Sequence, residues 1–256
     1  MQADLKWRKT VCPVWMYRSG TPELIGCTTL MRIAGASFAL TAAHVIEEFG
    51  TDRIFFGCRH GFRPFVGEIN TSVIPDKSDT AFLRLHEEIA DWLAEDFTFL
   101  SVSDFQLGDL PVAGTRYTFL GSPYRKAKKR GKLFHFPVYS IVSDSVSPEI
   151  YRSMSLAEAS HVVVRFDARR MCDESGRSVT APNPQGMSGG PVFASYSRIS
   201  DEDAAAGRLV AVIIEHHLSE RVLVGVRIGC LAAAIKRAYP ELSPLIPNLP
   251  PWLIYG

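Results

Sequence analysis

The sequence predicts an all-β protein: two six-stranded antiparallel β-barrels followed by a C-terminal helix. Three observations predict it. Short β-type runs recur at close intervals with Gly, Pro, Asp or Ser between them. No long helical pattern separates these runs, which argues against a βαβ sheet. A hydrophobic content of 46% against 21% charged residues supplies apolar material for one or two cores. Closing each set of strands into a barrel also removes the exposed edges that so many short strands would leave.

The first barrel, assigned to residues 1–98, takes the runs Val11-Tyr17, Leu24-Ile33, Phe38-Thr41, Arg53-Phe56, Phe65-Ile69 and Thr80-Leu85. Leu85, Ile89, Leu93 and Phe97 then fall four apart, the spacing of one helix face, and predict a short helix or helical linker that covers a core. The second barrel, in residues 99–256, takes Arg116-Leu120, Phe134-Ser140, His161-Phe166, Pro191-Tyr196, Arg208-Glu215 and Val222-Arg227. Leu231, Ala234, Ile235 and Ala238 share a helical face before Pro240, which stops the helix. The apolar tail Leu249 to Tyr255 reads as a segment that packs back on the body or docks on a partner.

Composition removes several functional classes. A net charge of +1 gives no whole-molecule attraction to nucleic acid, anionic membrane or acidic partners, so function rests on local sites. The stretch Met1 to Gly26 lacks a continuous apolar core of signal-peptide length. The longest apolar stretch, Val222 to Ile235, contains Arg227 and is too short to span a bilayer, so no membrane association is expected. The five cysteines are odd in number and scattered, without a Cys-x-x-Cys pair, which suggests free thiols and a reducing compartment.

Chemistry concentrates in three segments. Pro184-Gln185-Gly186-Met187-Ser188-Gly189-Gly190-Pro191 places a serine in a glycine-lined bend before an apolar strand, where neighbouring backbone N–H groups can converge on one point. Upstream lie Leu40-Thr41-Ala42-Ala43-His44-Val45 and Ser78-Asp79-Thr80-Ala81-Phe82. These three motifs, in the order His, Asp, Ser, resemble the chymotrypsin/trypsin-like serine peptidase family. The Gly-Met-Ser-Gly-Gly form looks most like bacterial intracellular trypsin-like domains of regulated stress or antiviral systems. Secreted members commonly carry a cysteine directly after the histidine. Here that residue is Val45, which adds to the expectation of a cytoplasmic protein.

The resemblance implies a serine endopeptidase that needs neither metal nor organic cofactor and acts on a protein or peptide. Ser188 is the expected nucleophile and His44 its general base, with Asp79 orienting the imidazole. Asp76 competes for the third role and otherwise reads as a turn residue after Pro75. The backbone N–H groups of Gly186 and Ser188 are the expected oxyanion hole. Met187 stands where zymogen-type relatives carry an aspartate that pairs with a freed N-terminus, so activation by N-terminal cleavage is not expected. Narrow specificity or a regulatory protein partner is expected instead.

Specificity is thinly written. Pro182, six residues before the serine, occupies the pocket-floor position that carries an aspartate in basic-preferring members, so a trypsin-like preference for Lys or Arg is unsupported. Asp173 and Glu174 are other sources of charge. Glu215 and His216 are candidate substrate-binding residues, and the adjacent His216 and His217 lack a third metal ligand at a recognisable spacing.

The run from Arg125 to Lys132 reads as a solvated hairpin tip, with a phosphate-backbone contact or a docking site for acidic protein as alternatives. It lacks interleaved aromatics, and nucleic acid is not the expected partner. A rival to the enzyme reading is a catalytically silent trypsin-fold binding module or a regulatory partner in a multi-protein system.

Overall fold

The computed structural model describes residues 7–48, 50, 53–59, 61–71, 79–107, 115–130, 133–169, 171–173, 175, 177–180, 182–196 and 207–246. Asp76, Glu174 and the tail beyond residue 246 lie outside them.

The first sheet is built on β1 (Val11–Arg18), β2 (Thr21–Ile33) and β3 (Ala36–Thr41), joined by the two-residue turns Ser19-Gly20 and Ala34-Gly35. A short helix, α1 (Ala43–Glu47), leads to β4 (Ile54–Cys58), β5 (Gly61–Pro64), β6 (Gly67–Thr71) and β7 (Ala81–Leu85). Pairing runs β5-β4-β1-β2-β3-β7-β6. The two outer strands, β5 and β6, are separated in sequence by only Phe65 and Val66, and Phe65 N–H donates to the Ile54 carbonyl at 3.1 Å. The sheet therefore curls back on itself as a barrel. Val14, Leu30, Phe56, Phe65 and Leu83 are buried within it, each at or below 1% exposure.

Helix α2 (Glu87–Ala94) follows and buries Ile89, Ala90 and Leu93, the face that the four-residue spacing predicts. Next, β8 (Leu100–Ser101) pairs in parallel with β2, so the first sheet gains a strand just beyond the expected domain join.

The second barrel comprises β9 (Thr115–Gly121), β12 (Tyr139–Asp144), β13 (His161–Arg165), β16 (Pro191–Tyr196), β17 (Arg208–His217) and β18 (Val222–Arg227), paired β13-β18-β17-β16-β9-β12. A bridge between Ser145 and Val164 closes the ring. The short strands β14 (Met171–Cys172) and β15 (Ser178–Val179) extend it from β12. A separate ribbon pairs β10 (Lys128–Arg130) with β11 (Leu133–His135). Helix α3 (Pro148–Ser153) lies between β12 and β13, and α4 (Ile228–Ala238) follows β18. The result is the predicted double barrel with its C-terminal helix, each sheet carrying eight strands where six were expected.

Three local expectations change. The predicted strand Phe65-Ile69 starts only at Gly67, because Phe65 and Val66 form the bend that closes the first barrel. The predicted strand Phe134-Ser140 is two strands in different sheets, split at Phe136-Pro137-Val138. Pro137 cannot donate to a ladder, and the Arg8 guanidinium takes up the Val138 carbonyl and Ser140 Oγ instead. Helix α3 carried a signal that hydrophobic periodicity does not read: Ser147 at the N-cap with Pro148 at the first helical position.

Candidate active site

Each of the three motif residues sits close to a strand end, and His44 and Ser188 border a common cleft. His44 lies in α1, one turn beyond the end of β3. Asp79 lies two residues before β7, which pairs with β3 and so brings the two motifs together. Ser188 lies in the bend that enters β16 of the second barrel.

Asp79 grips His44 at two points. Its Oδ1 accepts the His44 backbone N–H at 2.8 Å, and its Oδ2 meets the imidazole Nδ1. The Asp79 carbonyl also accepts the Ala43 N–H at 3.2 Å. With Nδ1 committed to the carboxylate, Nε2 is the ring nitrogen left to exchange a proton. The hydrogen bond to Asp79 is the main cause that raises the His44 pKa above its ordinary value. Burial opposes it, while the charges of Asp79, Glu48 and Glu215 reinforce it.

The serine loop accounts for its backbone group by group. Four successive carbonyls are taken up: Gln185 by Tyr124 N–H at 2.8 Å, Gly186 by the Cys27 thiol at 3.2 Å, Met187 by Gly190 N–H at 3.0 Å and Ser188 by Cys27 N–H at 2.7 Å. The N–H groups of Gln185, Met187, Gly189 and Gly190 donate to Asn183 Oδ1, Pro184, Ile213 and Met187 respectively. Among the described residues, the N–H groups of Gly186 and Ser188 alone in this loop have no protein acceptor. Because the peptide is planar and trans, fixing the Gln185 carbonyl on Tyr124 turns the Gly186 N–H the opposite way. The Ser188 hydroxyl rests loosely on the Ile214 carbonyl at 3.4 Å and is free to turn to a stronger acceptor.

Two glycines make this path possible. Gly186 has φ +94°, and an added Cβ would stand 2.8 Å from Tyr124 N. Gly189 has φ +90°, and its Cβ would fall 1.7 Å from the Cys27 carbonyl oxygen. Both lie in the left-handed region that side chains rarely adopt. Met187, between them, is buried to 1% in the second barrel's core and packs directly on Gly121. Packing, rather than an ion pair, thus fixes the residue before the serine.

A cleft of about 670 Å³ is lined by His44 and Ser188 together with Leu24, Tyr124, Met187, Ile214, Glu215 and His216. Two of the three expected specificity residues, Glu215 and His216, border it. Pro182 is half-buried and lies outside the lining, which begins at Asn183 in this loop. Asp173 is turned into its own loop, bonded to Ser175 and Arg177, and these bonds hold its carboxyl far below the usual range. Glu215 pairs with His217 at 2.7 Å, while the His216 ring packs edge-on against Phe166. Partial burial and the neighbouring His217 lower the His216 pKa.

Sequence reasoning missed Cys27, Tyr124 and Glu48. The first two act through main-chain and thiol contacts across the fold, and Glu48 borders the cleft because α1 turns its exposed end towards it.

Two closed antiparallel barrels with this junction between them define the class: the chain has the fold of the chymotrypsin-like serine proteases. Among solved structures, it is similar to the scabies mite inactivated protease paralogue S-I1 (13% identity, TM-score 0.59), covering 93% of this chain and 96% of that one. It is also similar to the thermostable serine protease AL20 from an extremophilic microorganism (15% identity, TM-score 0.53), covering 96% of this chain and all of that one. No family model matches the chain, and no curated protein matches it in sequence. No helix among the described residues is long and apolar enough to cross a membrane.

Proposed function

We propose that the chain is a serine endopeptidase that cleaves peptide bonds through His44, Asp79 and Ser188 by way of an acyl-enzyme. One observation carries the reading: among the described residues, the loop 185–190 satisfies all its backbone donors except the two N–H groups of Gly186 and Ser188. Such a pair of open donors beside a serine stabilises the oxyanion of a tetrahedral intermediate.

In this mechanism Ser188 Oγ attacks the scissile carbonyl carbon as its proton passes to His44 Nε2. The carbonyl oxygen, now an anion, accepts the two N–H groups. Collapse of the intermediate breaks the C–N bond, and the leaving amine takes the proton from His44. Water then attacks the acyl-enzyme by the same route and releases the acid. Asp79 holds the required tautomer and stabilises the imidazolium at each stage. No step calls for a metal or organic cofactor.

The buried Met187 supports a site that assembles without a freed N-terminus. Restraint would then come from narrow specificity or a partner protein. Five free thiols support a reducing, cytoplasmic setting.

The second reading is a silent binding module. It is favoured by one fact, that a protein of similar fold is an inactivated protease paralogue. Labelling of purified protein with a fluorophosphonate probe decides between them. The enzyme reading expects labelling that Ser188→Ala and His44→Ala both abolish. A folded protein that stays unlabelled speaks for the module or for a site that awaits a partner.

A further inference from the structure

The run that begins at Arg125 leaves the cleft directly. Tyr124 borders the cleft, and its N–H holds the Gln185 carbonyl, the peptide whose other face carries the Gly186 N–H. The next residues, Arg125 and Lys126, complete a turn of 3-10 helix, and Lys128 opens the ribbon of β10 and β11. Arg125, Lys126 and Lys128 are exposed, and none of them has an acidic partner among the described residues. Three unneutralised cations within four positions repel one another, and an anion placed among them removes that cost.

The surroundings bear on which anion. On the ribbon, Phe134 packs against Phe62 at 4.4 Å and Trp15 at 5.9 Å between ring centroids. That ring is engaged with its neighbours instead of offering a face to a nucleobase. Beside these cations the partly exposed Tyr124 ring borders the cleft, and a single ring is not the succession of stacking faces that a nucleic-acid strand uses, so the patch fits a carboxylate-bearing polypeptide better than nucleic acid. Arg125 directly follows Tyr124 of the cleft wall, so a polypeptide in the cleft would have these side chains close at hand.

We infer that Arg125, Lys126 and Lys128 form a docking surface for an acidic stretch of the polypeptide substrate, continuous with the cleft. This rests on the peptidase reading above, and it names the substrate class: polypeptides with clustered Asp or Glu beside the cleaved bond. Charge complementarity of this kind acts mainly on encounter and register.

The test uses full-length Ser188→Ala protein and fluorescein-labelled hexaglutamate, with binding read by anisotropy at rising salt. Binding is expected to weaken steeply with salt. It should fall about tenfold or more in a variant that also carries Arg125→Ala, Lys126→Ala and Lys128→Ala. A Lys126→Ala and Lys128→Ala pair should show an intermediate loss, which covers the case where the larger variant does not fold. Absence of hexaglutamate binding overturns the proposal, as does equal binding by the charge-neutralised variants. Tighter, salt-sensitive binding of a labelled single-stranded oligonucleotide through the same residues also overturns it and assigns the surface to nucleic acid. Because Ser188 is absent from this assay, loss of the docking surface and loss of the peptidase reading separate. The fluorophosphonate experiment on wild-type protein reports only the latter.

Discussion

The Cys27 thiol donates a 3.2 Å hydrogen bond to the carbonyl of Gly186, on the opposite barrel. The same residue's N–H donates to the Ser188 carbonyl at 2.7 Å, and its sulfur accepts the Ser122 N–H at 3.4 Å. One residue of β2 therefore anchors two peptides of the serine loop and ties the first barrel to the second. Burial pushes its thiol up to about 12, so it remains a protonated donor at any physiological pH.

If the proposed peptidase mechanism holds, Cys27 acts as a positioning residue. Cys27→Ala leaves the Gly186 carbonyl and Ser122 N–H unpaired, at about 1–3 kcal/mol of stability, and slows probe labelling of Ser188. Cys27→Ser restores a donor and should recover much of the labelling rate. Urea unfolding alongside labelling kinetics checks both. A merely space-filling role would make the Ala and Ser variants equal in labelling. In native protein, Cys27 should resist iodoacetamide and react only after unfolding.

Asp79 sets the behaviour of His44 with pH. The folded His44 pKa lies above its unfolded value near 6.5. The stability that the charged imidazole gains is therefore complete below that unfolded value and disappears as pH rises through the folded one. In the proposed mechanism catalysis has the opposite dependence, since the base must be neutral, so the labelling rate should climb through the raised pKa. Asp79→Asn removes the largest cause. The onset should move to lower pH, with a rate loss on the order of 10⁴-fold because the wrong tautomer is favoured. A labelling profile from pH 5 to 9, with an NMR titration of His44, measures both.

Glu215 contributes to the same titration from across the cleft, as the last of the charges that raise His44. Glu215→Gln should lower the onset pH by less than Asp79→Asn does and leave the fold intact, given its exposure at the strand end. An unchanged profile would show that its charge is spent on His217.

The two left-handed glycines should respond differently. At Gly189, a Cβ meets backbone at 1.7 Å, so Gly189→Ala must move β2 or the loop and should cost at least about 2–3 kcal/mol in a thermal or urea melt. At Gly186 the nearest atom is at 2.8 Å and the loop borders the cleft. A side chain there still forces the Tyr124 backbone to shift and is strained at φ +94°, so Gly186→Val should lower stability and also displace one N–H, with a rate loss of about 10²–10³-fold in the protein that remains folded. Collapse of the folded state in Gly186→Val would place this glycine in structural support instead.

The sequence alone determined the strand runs, because alternating and continuous apolar segments report burial directly. It also determined the three chemical motifs, since each binds a reactive side chain to a fixed local frame such as Gly186-Met187-Ser188-Gly189. It failed where neighbours far along the chain decide. Phe65 and Val66 read as strand but bend to close a barrel, and Phe134 to Ser140 divides at Pro137 because Arg8 supplies the competing bonds. Tertiary structure decided the roles of Cys27 and Tyr124. Both work through main-chain or thiol hydrogen bonds whose partners lie more than 60 residues away, and no local pattern encodes such a bond. It also sorted the acidic candidates by position, turning Glu215 to the cleft and Asp173 into its own loop. Residue type states what a side chain can do, whereas the closing of two barrels on each other decides which side chains share a cleft.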